Sequence, residues 1–419
     1  MRPDSIFYLI IFIIAARYLF ELFVDRLNLK ALDKNLPDDF SDVYDSEKYC
    51  RSQNYLRVNT RFDALSSAVS LSATLLFLWF KGPGWLDRVV SEWSASWLWR
   101  GLAYGAIIYL FSLIISLPFS AYQTFVIEEQ FGFNQTKPRT FVADQLKALL
   151  LTCVIGTPVY LGVLWFFQTF ELGWLWAWCM LTLFSLIVMY VAPVWIMPLF
   201  NKFTPLDQES ELNRAIMDMC DKASFTIKGV FTMDGSKRSS KSNAFFTGFG
   251  RNKKIALFDT LIERHSIEEL VAVLAHEIGH YKKKHIFQML ALSFASTAVA
   301  FFLLGQFLKN DVVFTAFGVE GRPVYAGLFI FGFFFAPLNF VLSLLQNIIS
   351  RRNEYEADRY AVEITGTPQV MVNALKKLSA DNLSNLTPHP LKVFLEYSHP
   401  PVRDRIQALY ALSNENRLL

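Results

Sequence analysis

Long apolar runs bounded by charged or turn-forming residues set the pattern of this chain. Seven of them, at 5–23, 64–80, 101–119, 148–170, 174–197, 286–308 and 324–348, have the length of about 17–25 residues that a helix needs to cross a bilayer. The first has a longer apolar core than a secretory signal and no small-residue cleavage site after it, so it reads as an uncleaved anchor. Between the fifth and sixth runs the period changes. Residues 209–223 follow an amphipathic helical pattern, and 229–233, 242–249 and 254–261 are short runs rich in Phe, Ile, Val and Thr. Gly250-Arg251-Asn252 between the last two reads as a hairpin turn. A helix over 266–284 follows, with Ser266 as its cap and Glu268 and Glu269 in its first turn.

This pattern predicts a multi-pass α-helical membrane protein with a small α+β unit on one side. Its divisions are 1–197 for five membrane helices and their loops, 198–285 for the α+β unit, 286–348 for helices six and seven, and 349–419 for C-terminal helices. Composition agrees: 53% of the residues are hydrophobic and 40 are Phe, far from the average of a soluble enzyme. Charge then orients the spans. With the N-terminus outside, the inward segments 24–63, 120–147, 198–285 and 349–419 hold 33 of the 40 Lys and Arg. That asymmetry follows the positive-inside rule and places the C-terminus inside. A net charge of +3 gives no reason to expect a nucleic-acid partner, and Lys282-Lys283-Lys284 reads as a juxtamembrane anchor for anionic headgroups. Cys50, Cys153, Cys179 and Cys220 show no paired spacing, so free thiols are expected. Nothing in the pattern fixes an oligomeric state.

Chemistry concentrates in His276-Glu277-Ile278-Gly279-His280. On a helix, residues four apart share a face, so His276 and His280 are able to hold one metal ion with the Glu277 carboxylate beside it. The chain has six His, none before His265. Glu354 and Asp358 repeat the i, i+4 spacing, which suits Glu354 as a third ligand and Asp358 as hydrogen-bond partner of a ligand imidazole. Three ligands leave one position for water, the mark of a catalytic Zn2+ site. Glu277 is then the general base. Asn243, Ala244 and Phe245 form a strand suited to pairing with an extended peptide substrate.

At this point the residues resemble a known family, the type I CAAX prenyl endopeptidases. The likeness rests on Pro193 to Phe203, on Ser239 to Phe246 including Ser242-Asn243-Ala244, on Phe258-Asp259-Thr260-Leu261, on Ser350-Arg351 to Asp358, and on Ser398-His399-Pro400-Pro401 with Arg405. It implies a barrel of seven membrane helices around a water-filled chamber, with the zinc site at its cytosolic end. It also implies that His399 and Arg405 face the site and stabilise the oxyanion, and that the chain removes the C-terminal tripeptide of prenylated CAAX proteins. The organism stays open: the chain would sit in the inner membrane of a bacterium or the endoplasmic reticulum of a eukaryote. Two other readings stand beside this one, a heat-shock-type membrane metalloprotease acting in quality control, and a transporter or receptor with a regulatory zinc site.

Overall fold

Each apolar run forms a helix, and all but the sixth extend beyond the stretch hydropathy marks. In the computed structural model, which describes residues 2–247 and 253–415, the seven spans are Pro3–Lys30, Ser46–Trp79, Trp97–Glu128, Pro138–Thr169, Gly173–Phe200, His285–Phe307 and Val324–Thr365. The extensions have local causes. Asp45 caps the second span early, its carboxylate accepting from the Lys48 amide at 2.7 Å. The seventh runs on to Gly366, whose left-handed φ of 79° ends it. The third, fourth and fifth each contain a π-helical turn, at Gln123–Glu128, Thr152–Gly156 and Ala192–Ile196, the kind of irregularity at which helices bend.

Burial along the spans is confined to their ends. At one end Ile6, Ile10, Leu78, Leu86, Tyr104, Leu164, Phe314 and Phe317 join a packed cluster. At the other, a larger core gathers the segments outside the spans. Between these ends each span has a long stretch without a buried residue; in the seventh it lies between Ile330 and Asn353. At 1.5 Å per residue that is roughly 34 Å of helix without a fully buried residue. The spans therefore form the wall of a hollow, one helix thick, as the family resemblance implies.

The larger core belongs to the α+β unit. Its elements are β1 (Phe203–Pro205), α1 (Glu211–Lys222), β2 (Gly229–Met233), β3 (Ala244–Thr247), β4 (Lys254–Phe258), α2 (Asp259–Arg264) and α3 (Ile267–Lys282). After the seventh span come α4 (Pro368–Asp381), α5 (Pro390–Glu396) and α6 (Val402–Glu415). The sheet order is β1-β2-β4-β3, with β2 and β4 parallel and the outer pairings antiparallel, so β3 is an edge strand. The turn expected at Gly250-Arg251-Asn252 lies outside the described residues. The strand expected over 254–261 stops at Phe258. Asp259 Oδ1 accepts from the amides of Ser236 and Thr260, 2.9 Å each, and turns the chain into α2. The helix expected over 266–284 is α3, closed at its start by the reciprocal bonds of Ser266 and Glu269.

The α+β unit is fastened to the spans through Arg238. Its guanidinium pairs with both oxygens of Asp144 at 2.8 and 3.0 Å and reaches Asn201 Oδ1 at 2.9 Å. Its carbonyl accepts from Gln135 N and Thr136 Oγ1, both at 3.0 Å. One residue thus ties the start of the fourth span and the exit of the fifth to the loop that leads into β3.

A close helix crossing joins α3 to the seventh span at Gly279. A Cβ there would lie 3.1 Å from Ala357 Cα and 3.2 Å from its carbonyl oxygen. Backbone on the far side cannot swing away as a side chain does. We expect Gly279→Val to force the helices apart at about 1–3 kcal/mol, lowering the thermal midpoint of the detergent-solubilised protein; an unchanged midpoint would show the crossing has slack.

Candidate active site

That crossing brings three side chains to one point. His276 and His280 project from one face of α3, and Glu354 comes from the extension of the seventh span. Their ligand atoms all lie within 4.8 Å of one another. His276 Nε2 is 3.1 Å from His280 Nε2 and 3.5 Å from Glu354 Oε2, while His280 Nε2 is 3.2 Å from Glu354 Oε1. A tetrahedral ion about 2.0–2.1 Å from each ligand sets their mutual spacing at about 3.3 Å. All three distances lie near that spacing, the two to Glu354 running to different carboxylate oxygens, so the three side chains enclose room for one such ion.

The polar chemistry of the triangle also calls for a cation. Two imidazole nitrogens facing each other at this distance share one proton at most, or else oppose two lone pairs. Glu354 Oε2 is buried and accepts no hydrogen bond among the described residues, although Arg405 Nη1 stands 3.2 Å away. Burial works against a charge on His276, but the neighbouring carboxylates of Asp358 and Glu354 outweigh that and lift the imidazole to about 9. A site that holds a proton so firmly is suited to a divalent cation in its place.

Around the ligands stand the other residues singled out in the sequence. Asp358 Oδ1 meets His276 Nδ1 at 2.8 Å, which fixes Nδ1–H and leaves Nε2 free for the ion. His399 is mostly exposed, with its Nε2 3.3 Å from Glu354 Oε1 and its Nδ1 2.9 Å from Ser398 Oγ. Arg405 lines the same cavity; its Nε and Nη2 grip Asp358 at 2.8 and 2.6 Å and its Nη1 faces Glu354, so the guanidinium is shared between two carboxylates. Asn243 and Ala244 line the same cavity as Glu277, a space of about 710 Å³ that continues past Met289 and Gln346 between the sixth and seventh spans. Phe245 lies on the other face of β3, its ring 6.4 Å from that of Phe258.

Sequence reasoning passed over His285. Its Nδ1 lies 3.1 Å from His280 Nδ1 and its Nε2 3.3 Å from Glu356. The only signal available was its rarity, since the chain has six His and this one stands five residues after His280.

Comparison with known proteins agrees with the geometry. Residues 25–202 match the family described as CAAX prenyl protease N-terminal, five membrane helices, and residues 206–413 match peptidase family M48. CAAX prenyl protease 1 of Saccharomyces cerevisiae is 34% identical over 96% of this chain and 94% of its own length. Its homologues in Arabidopsis thaliana and Homo sapiens are 35% and 32% identical, each over 94% of this chain and over 94% and 92% of their own. The crystal structure of S. mikatae Ste24p superposes with a TM-score of 0.91 at 32% identity, covering 96% of this chain and 99% of that one. Near-complete coverage by both the five-helix model and the peptidase model sets aside the transporter or receptor reading. The chain belongs to the CAAX prenyl proteases of peptidase family M48, multi-pass membrane metalloendopeptidases.

Proposed function

We propose that this protein is a zinc endopeptidase that removes the C-terminal tripeptide from prenylated CAAX substrates, with its site facing the cytosol. The observation that carries the reading is the donor triangle of His276, His280 and Glu354 with Glu277 beside it in one cavity. The names of the full-length relatives support the substrate class, and the basic residues clustered in the segments at the site end support the orientation.

Zinc held by the three ligands supplies Lewis acidity toward the scissile carbonyl and toward water. Glu277 takes the proton of the attacking water and delivers it to the leaving amine. Asp358 keeps His276 in the tautomer that presents Nε2. Arg405 offsets the two buried carboxylates it touches and so holds Glu354 and Asp358 in register; we assign it this bracing role in place of direct oxyanion contact. We assign the oxyanion contact to the exposed His399, whose Nε2 stands beside the ligand set, 3.3 Å from Glu354 Oε1.

The substrate lies along β3. Its outer edge has no strand partner among the described residues, and an extended peptide added there gains backbone hydrogen bonds. Asn243 fixes the start of that edge, since its carbonyl accepts from Phe258 N at 3.1 Å. Phe246, packed against Phe225 and Tyr281 with ring centres 5.4 and 5.7 Å away, anchors the strand to α3 and hence to the ligands. Ala244 presents little bulk toward the cavity, and Phe245 braces the strand from behind. The hollow between the spans offers room for the remainder of a long substrate.

Three outcomes test this reading. Purified protein with a quenched farnesylated CAAX peptide should release the intact tripeptide by mass spectrometry and stop on zinc chelation; cleavage that survives chelation would overturn the mechanism. Glu277→Gln should keep its zinc while losing about 10²–10⁴-fold in kcat; a variant cleaving at the wild-type rate would remove Glu277 from the chemistry. Because the metal-free site holds a proton on His276 up to about pH 9, zinc must displace it at lower pH. Zinc affinity in chelator competition should therefore fall as pH drops below about 9, and a pH-independent affinity would contradict this.

A further inference from the structure

We propose that His285 is a positioning residue for the metal site, passing the charge of Glu356 to the ligand His280. The inference rests on the metal reading above and adds a residue to it. His285 opens the sixth span directly after Lys284, whose left-handed φ of 62° turns the chain out of α3. That turn folds His285 back beneath the last turn of α3, where its side chain is 5% exposed. Its Nδ1 meets the nitrogen of His280 that faces away from the donor triangle. His285 is therefore behind a ligand and outside the coordination sphere.

One proton arrangement satisfies both of its contacts while leaving His280 Nε2 free for the ion. His280 Nδ1–H donates to His285 Nδ1 across 3.1 Å, and His285 Nε2–H donates to Glu356 Oε2 across 3.3 Å. Glu356 is held in turn by Arg352 Nε at 3.2 Å. The two ligand imidazoles thus reach carboxylates by unequal routes. His276 touches Asp358 directly, whereas His280 reaches Glu356 through a second imidazole. All three carboxylates, Glu354, Glu356 and Asp358, come from one stretch of the seventh span. One faces the ion and two stand behind its imidazole ligands. Groups in this place orient a ligand ring and raise its basicity.

The test is zinc affinity by chelator competition on the full-length chain, beside the thermal midpoint of the metal-free protein. His285→Ala should weaken zinc about 10–100-fold with the midpoint and the peptide KM little changed. His285→Asn, whose Oδ1 takes the acceptor place of Nδ1, should restore most of the loss. Glu356→Gln should weaken zinc in the same direction by less. Wild-type affinity in His285→Ala would overturn the proposal. If that variant does not fold, the partly exposed Glu356 carries the test, and unchanged affinity in Glu356→Gln overturns the relay. A wild-type chain that takes up no zinc would overturn the metal reading as well, so the two failures are distinguishable.

Discussion

Two carboxylates buried side by side on one helix are the constraint around which this site is built. Glu354 and Asp358 are 3% and 2% exposed, and an unpaired buried charge costs several kcal/mol. Their negative charge has to be met from outside the helix. Arg405 supplies part of the answer and the two imidazoles of α3 another, but Glu354 Oε2 still accepts no hydrogen bond among the described residues. On the proposed reading, a divalent cation in the triangle would complete the balance. Binding of the ion and close packing of α3 on the seventh span are in this sense one event, which is why a glycine sits at their crossing.

The rest of the fold serves to hold that crossing at a fixed place relative to the substrate strand. The capping box of Ser266 and Glu269 fixes where α3 begins, and Lys377 of α4 ties onto Glu269 at 2.7 Å. Phe246 packs β3 against the last turns of the same helix. Arg238 anchors the approach to β3 on the fourth and fifth spans. Strand, ligand helix and membrane wall are therefore linked by short, specific contacts.

Much of this was legible because it depends on local spacing. His276 with His280 and Glu354 with Asp358 are i, i+4 pairs, and their convergence needs only that two helices cross. β3 was readable as an edge strand able to take an extended peptide, and it does lie at the sheet's edge; what leaves that edge open is the parallel pairing of β2 with β4, which no local pattern records. Arg405 shows the limit of motif reasoning. Its presence at the site was foreseen, yet its commitment to Asp358 depends on where α6 docks. His285 was missed for a related reason. Its role comes from a left-handed turn at Lys284, and Lys at positive φ leaves no recognisable trace in sequence. All spans but the sixth were under-measured because hydropathy sees only the apolar part of a helix.

The hollow wall carries a consequence of its own. Where a helix has no buried face, a side chain answers to a solvent and not to a neighbour. Along the unpacked middle of these spans one flank meets hydrocarbon and the other meets the lumen, so each position is sorted by which liquid it touches. Polar groups cost little on the inner flank and several kcal/mol on the outer. The barrel is thus packed most tightly at its two ends, while along its midsection a few contacts, such as Trp178 Nε1 donating to the Phe294 carbonyl, join spans whose other positions follow that division between oil and water.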